Sequence, residues 1–303
     1  MARRKTGRDI SGVLLLDKPK GFTSNKILQK IKDIFFAKKA GHTGSLDPLA
    51  TGLLPICFGQ ATKFSSYLLN ADKKYIVTCK LGVSTDSGDA DGNIIATRPL
   101  KKLSKRLIKT KMRDFLGQGQ QIPPMHSAIK IQGEALYKKA HRGETIEREP
   151  RDIVIYSFEL LNQTDDELTL EVHCSKGTYI RTLIADLGEK LELGAHVSQL
   201  RRTMVGKFNE QEMVSMDKIE QCYSLKDDFV SLNQLLIPTH EMVRQFPKLN
   251  VSNDQRFYLR QGQAIRINGT PTSGMASLFF NDSFFGIAKV LDDGRMKPER
   301  LIS

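Results

Sequence analysis

Gly41-His42-Thr43-Gly44-Ser45-Leu46-Asp47-Pro48-Leu49-Ala50-Thr51-Gly52 is the stretch around which the rest of the chain is organised. Three glycines and a proline within twelve residues ask for a tight, shaped loop. Gly supplies positive-φ turns, and Pro48 biases Asp47 away from helical backbone angles. Such a loop holds its one carboxylate, Asp47, in a fixed place. An isolated Asp-Pro is commonly just the polar tip of a turn. Here His42, Thr43 and Ser45 add hydrogen-bonding groups, and Leu53-Leu54-Pro55-Ile56-Cys57-Phe58-Gly59 follows as an apolar floor, a composition that suits a pocket.

Upstream, Gly12 to Leu16 reads as a short buried strand, turned by Asp17-Lys18-Pro19-Lys20-Gly21. Ser24 or Thr23 can cap a helix whose apolar residues Ile27, Leu28, Ile31, Ile34 and Phe35 recur at helical spacing. Downstream, Thr62 to Leu69 forms a short helix, and Tyr75, Val77, Cys79 and Leu81 alternate along a strand whose first residue can reach a cleft. Thr85 to Gly92 fails the calcium-loop template, because its twelfth position falls on Arg98, and is expected as an acidic turn. Residues 122–151, with a double proline and mixed charge, look like an insertion. Leu168, Leu170, Val172 and Cys174 point inward from a second alternating strand, and Thr178 can cap a helix through about Leu193. Arg181 then falls in a first helical turn, where the helix dipole disfavours a cation, so an anion is expected nearby. Gly194 to Thr203 is expected as an edge strand carrying Arg201 and Arg202, good phosphate partners. After a helical connection through about Pro238, short strand signals from Leu249 onward, with turns near Asn281-Asp282 and Asp292-Asp293-Gly294, indicate a small β domain. The fold class is therefore α+β, a mixed central sheet flanked by helices, with domains expected at about 1–245 and 246–303.

The net charge of +12 narrows the partner class. Residues 1–40 hold eleven Lys or Arg against three Asp, and residues 98–113 hold eight basic residues and no acid, a pattern suited to polyanions. No apolar run approaches the ~20 residues of a membrane span, and no export signal is apparent, so a cytoplasmic location is expected. The four cysteines lack paired spacing and the histidines lack metal spacing, so neither a disulfide framework nor a metal site is expected.

The Gly41–Gly52 run, together with Leu14-Leu15-Leu16-Asp17-Lys18-Pro19 and Cys174-Ser175-Lys176-Gly177-Thr178-Tyr179-Ile180-Arg181-Thr182, closely resembles the TruB-type bacterial tRNA pseudouridine(55) synthase. The resemblance runs in order over nearly the whole chain. It implies isomerisation of a uridine in the T-arm loop of tRNA, with no cofactor and no obligate protein partner, by a monomer. Asp47 is implied as the nucleophile, Arg181 as its ion-pair partner, Tyr75 as the stacking surface and proton-transfer group, and Asp89 as part of the electrostatic network. Further substrate contacts are implied at His42, Tyr179 and Leu200, and RNA contacts at Lys18, Lys63, Lys130 and Arg202. Residues 122–151 resemble an RNA-gripping thumb, with His126 where Tyr is the commoner residue, and the C-terminal part resembles a PUA-like RNA-binding domain. Competing readings are a non-catalytic RNA-binding or tRNA-folding protein, a glycosidase using Asp89 as second acid, and a guide-RNA-dependent relative. The glycosidase leaves the basic surface without a role.

Overall fold

The structure, a computed structural model, describes residues 6–127, 129–131, 133–144 and 146–302. The chain forms β1 (Gly12–Lys18), α1 (Ser24–Ile34), β2 (Ala40–His42) and β3 (Thr51–Phe58), then a 3₁₀ turn and α2 (Ser65–Leu69). β4 (Lys73–Leu81) is followed by the small pair β5 (Val83–Thr85) and β6 (Ile94–Thr97), then α3 (Lys105–Arg113) and β7 (Gly117–Gln121). The expected insertion holds β8 (Lys130–Ile131), β9 (Glu134–Ala135) and α4 (Leu136–His141). β10 (Arg151–Gln163), β11 (Glu167–Cys174), α5 (Ile180–Lys190), β12 (Ala195–Val205) and β13 (Phe208–Asn209) complete the large sheet. Two short helices, α6 (Met216–Ser224) and α7 (Val230–Asn233), lead to β14 (Lys248–Asn250), α8 (Asn253–Arg260), β15 (Met275–Phe280), β16 (Ser283–Val290) and β17 (Met296–Leu301).

The large sheet runs β1-β3-β12-β4-β11-β10-β7, with β2 on β3 and β13 on β12. Its pairings are antiparallel except for the two-residue parallel contact of β12 with β3 at Arg201–Thr51 and Arg202–Gly52. β12 therefore lies inside the sheet, between β3 and β4, and the expected edge strand is corrected to a central one. Alternation in β4 and β11 puts Tyr75, Val77, Cys79, Leu168, Leu170 and Val172 into the core, beneath α1 and α5. Burying each large apolar side chain in this way contributes about 1.5–3 kcal/mol.

β1 differs from those strands because both of its faces are apolar. Leu14 and Leu16 join the core under the helices, whereas Val13 and Leu15 join a second core on the opposite face. That second core includes Leu53, Phe64 and Phe208, and Ile287 of the C-terminal sheet closes it together with Phe284, Met275 and Ile302. The C-terminal sheet runs β14-β15-β16-β17, and it carries α8, which the sequence pattern did not announce. No helix among the described residues is long and apolar enough to cross a membrane.

Helix ends show where local signals hold. Thr23 caps α1, accepting from the Lys26 amide at 3.1 Å, while Ser24 turns inward. The expected cap at Thr178 is absent: its hydroxyl donates to the Ser175 carbonyl at 3.0 Å, and Tyr179 occupies the N-cap of α5 without a side-chain bond.

Candidate active site

The Asp47 loop is pinned at several points. Ser24 Oγ accepts from the Leu46 amide at 2.7 Å and lies 3.0 Å from the Leu46 carbonyl, so the residue before Asp47 is held on both sides. The Gly21 amide donates to Pro48 O at 2.8 Å, and the Thr43 amide donates to Pro55 O at 3.0 Å. Lys18 is wholly buried and places its ammonium 2.6 Å from Ala50 O and 2.9 Å from Pro19 O. Arg202, also buried, donates from Nε to Leu53 O at 2.7 Å and from Nη2 to Gly44 O at 3.1 Å. Gly52 permits this closeness: at φ +96° a Cβ there would meet Arg202 O at 2.3 Å.

Two of the residues expected at the RNA thus hold the loop from within. Lys18 and Arg202 are buried and donate to carbonyls that shape the loop, and Arg202 also lines the cleft beside Asp47. Burial also pulls the Lys18 ammonium down to about 8, partly opposed by the Asp47 carboxylate. Lys63 is exposed and donates to Leu301 O at 3.1 Å, joining the 3₁₀ turn after β3 to β17 of the C-terminal sheet. The side chain expected to contact RNA at Lys130 lies outside the described residues, as does that of His141.

Arg181 enters from the first turn of α5, as its sequence position implied, and finds two carboxylates. Its Nε lies 3.0 Å from Asp47 Oδ2 and its Nη2 3.3 Å from Asp47 Oδ1, a two-point contact. Its Nη1 lies 3.3 Å from Asp89 Oδ2 and 3.0 Å from the Ser87 carbonyl. Nη2 also donates to His126 O at 2.7 Å, so the guanidinium is fixed on every side. Only 7% of the Arg181 side chain and 6% of Asp89 are exposed, against 39% of Asp47, which opens to the cleft. Asp89 is itself held by Ser87 Oγ at 2.6 Å and by the Asp91 amide at 3.2 Å. Desolvation pushes the Asp47 carboxyl above its ordinary value; Arg181 opposes the rise, Asp89 adds to it and Lys18 opposes it.

The cleft above Asp47 encloses about 370 Å³. Tyr75, Tyr179, Leu200, His126 and Arg181 line it, and Asp47 is the carboxylate among the described lining residues. β4 brings Tyr75 to the floor by alternation, register-paired with Val172 on one side and Arg202 on the other. Burial raises the Tyr75 phenol, partly opposed by Arg202, so it stays protonated at neutral pH. Tyr179 is set by an amide clamp: Gln121 Oε1 accepts from the Tyr179 amide at 2.7 Å, and Gln121 Nε2 donates to its carbonyl at 3.0 Å. His42 lies on β2 beside the loop, half-buried, and is not among the lining residues. Burial and then Arg202 lower its pKa, which keeps the imidazole neutral.

Three positioning residues escaped the sequence reading as such. Ser24, like Thr23, falls where a helix cap is expected. Gln121 gives no local signal, since its partner is 58 residues away. Lys73 was legible in principle, because it shares the phase of Tyr75 and Val77 and so points inward, where it lines the cleft. Its ammonium donates to Ala71 O at 2.6 Å and Leu69 O at 2.7 Å, and burial lowers its pKa to about 8.

Comparison with known proteins shows the family to which the chain is similar. Residues 32–180 match the family described as TruB family pseudouridylate synthase (N terminal domain). Residues 181–244 match the tRNA pseudouridylate synthase B C-terminal domain, and residues 247–302 match pseudouridine synthase II TruB, C-terminal. A tRNA pseudouridine synthase B of Nitrosococcus oceani is 48% identical over 301 residues, covering 99% of this chain and 97% of that protein. One of Coxiella burnetii is 50% identical over 296 residues, covering 97% and 96%. Among solved structures, a Cbf5-Nop10-Gar1 complex contains a chain with a TM-score of 0.74 and 26% identity, covering 96% of this chain and 84% of that one.

Proposed function

The chain belongs to the TruB family of pseudouridylate synthases, enzymes of the isomerase class, and from that premise we propose that it converts a uridine in the T-arm loop of tRNA, at position 55, to pseudouridine. The observation that carries this reading is the Asp47 carboxylate, held at two points by Arg181 at the mouth of a cleft floored by Tyr75.

The reaction breaks the N1–C1′ glycosidic bond, turns the uracil, and joins C5 to C1′; C5 loses a proton and N1 gains one. There is no redox change and no group is lost, so the chemistry asks for no cofactor. Asp47 acts at the sugar as the nucleophile. Arg181 aims the carboxylate and keeps it ionised against the desolvation that favours its protonated form. Asp89 fixes Arg181 from behind, so that the guanidinium is set before substrate arrives.

The base must leave its stack to reach Asp47, and Tyr75 offers a face for it, an interaction contributing about 1–3 kcal/mol. The protonated phenol can also pass a proton during the turn. Tyr179 and the backbone of Leu200 bound the same space, and His42, beside the Asp47 loop, is a further substrate contact. Segment 122–151 grips the RNA stem. Residues up to about 245 perform the chemistry, and about 246–303 form a PUA-like RNA-binding unit, the enzyme working as a monomer.

The test is to incubate purified protein with unmodified tRNA and map pseudouridine by base. Formation at position 55 is expected, with none in Asp47→Asn. Product at another position, or turnover by that variant free of deamidation, would overturn the reading.

A further inference from the structure

α3 carries Lys105, Arg106, Leu107, Ile108, Lys109, Thr110, Lys111, Met112 and Arg113. Its buried residues are Ile108 and Met112. At ~100° per residue, Lys105, Lys109, Arg113 and Arg106 fall on one continuous arc beside that apolar stripe. All four are exposed, and among the described residues none has an ion pair. Just upstream the pattern is different: Arg98 lies 2.9 Å from Glu189 and Lys101 lies 2.6 Å from Glu192, both on or beside α5.

The arrangement works against the helix's own stability. Lys105 and Lys109, and Lys109 and Arg113, are like charges four residues apart, and Lys105 and Arg106 sit in a first turn that contains no acid, where the dipole disfavours cations. A polyanion laid along the arc relieves both conflicts.

We infer that the Lys105-Arg106-Lys109-Arg113 face of α3 is a second RNA-binding surface, which takes phosphates of the tRNA outside the T-arm stem-loop. This rests on the reading of the protein as a tRNA-modifying enzyme. The location argues for RNA beyond the loop. The C-terminal end of α3 meets the C-terminal end of α5, with Lys190 Nζ 3.1 Å from Asp114 Oδ2, whereas Arg181 in the cleft sits at the other end of α5. Nine residues of helix separate Arg181 from Lys190, about 14 Å along the axis, so a loop seated on Asp47 leaves α3 to more distant phosphates.

The test uses the full chain with Lys105→Gln, Arg106→Gln, Lys109→Gln and Arg113→Gln combined, since Gln keeps helix propensity and removes charge. Binding and initial rates are measured on unmodified tRNA and on a T-arm stem-loop, with the melting temperature as a check on folding. The variant should bind tRNA at least about tenfold more weakly, raising KM but leaving kcat, with the salt slope shallower by about 0.7–0.9 per lost phosphate contact. Its behaviour on the stem-loop should match wild type. Unchanged tRNA binding, or equal weakening on both RNAs, would overturn the inference. Wild-type protein that binds tRNA without making pseudouridine would defeat the functional reading instead, and the binding comparison would still decide this one. If the fourfold variant melts early, Lys109→Glu alone replaces it under the same criteria.

Discussion

Removing the guanidinium of Arg181 tests the site most severely, because the same group carries both the proposed chemistry and the fold. Arg181→Met keeps the apolar stem but strands Asp89, whose side chain is 6% exposed and whose charge partner is Arg181 at 3.3 Å. Leaving one member of a buried pair uncompensated costs about 3–5 kcal/mol. At a urea slope near 3 kcal/mol per molar, the unfolding midpoint should fall by about 1–1.7 M. The double variant with Asp89→Asn should recover more than half of that loss, because the stranded charge is gone. Activity should fall at least about 100-fold in both, the scale seen when a preorganised electrostatic partner is lost. The acid limb of the remaining activity gives an independent reading. In the proposed reaction Asp47 works as the carboxylate, so activity should be lost as pH falls through its pKa, which desolvation already places above 3.8. Arg181 opposes that rise, so its removal should move the limb to still higher pH. The reasoning fails if Arg181→Met unfolds at the wild-type urea midpoint, or if the double variant is no more stable than the single.

Asp47→Asn should abolish pseudouridine formation without lowering the melting temperature at pH 7: the folded pKa lies above the unfolded one, so ionising Asp47 costs the folded state in the window above 3.8, and Asn removes that cost. A clear drop in melting temperature would show that the carboxylate stabilises the fold. Lys18→Met should orphan the Ala50 and Pro19 carbonyls at about 1–3 kcal/mol each, reducing kcat while the salt slope of RNA binding stays at its wild-type value; a shallower slope would return Lys18 to the RNA surface. Substrate choice should follow shape, since Tyr75 holds a base without identifying it: a T-arm stem-loop should turn over nearly as fast as whole tRNA at saturation, and an unstructured strand of the same loop sequence poorly. Equal rates on the strand would point to a sequence-reading mechanism.

Much of this was legible because it is local. Alternation placed Tyr75 on the buried face of β4, Thr23 capped α1, and glycine spacing marked the Asp47 loop. The dipole argument announced an anion beside Arg181, and two carboxylates are there. What the pattern left out depends on partners far along the chain. The apolar alternation and paired arginines of β12 fit an edge or a centre equally well, and only the pairing with β3 and β4 decides between them. The burial of Lys18 and Arg202 was not legible because their ligands are main-chain carbonyls up to 158 residues away, which composition does not reveal. α8 is short and sits among strand signals, where its capping box at Ser252 and Gln255 was the overlooked mark.

The two-faced burial of β1 has a consequence in time. Val13 and Leu15 belong to a core that closes only when Phe284, Ile287 and Ile302 arrive, some 270 residues later. At about 5–20 residues per second, roughly 15–50 s pass before that core is complete, although Phe64, Phe208 and Met242 join it earlier. The helix-covered side of the same sheet draws on residues no later than Leu236 and can consolidate earlier. Synthesis thus separates the maturation of the two sides. The cleft around Asp47 takes shape on the early side, while the opposite side stays incomplete, and open to mispairing or chaperone capture, until the C-terminal sheet is made.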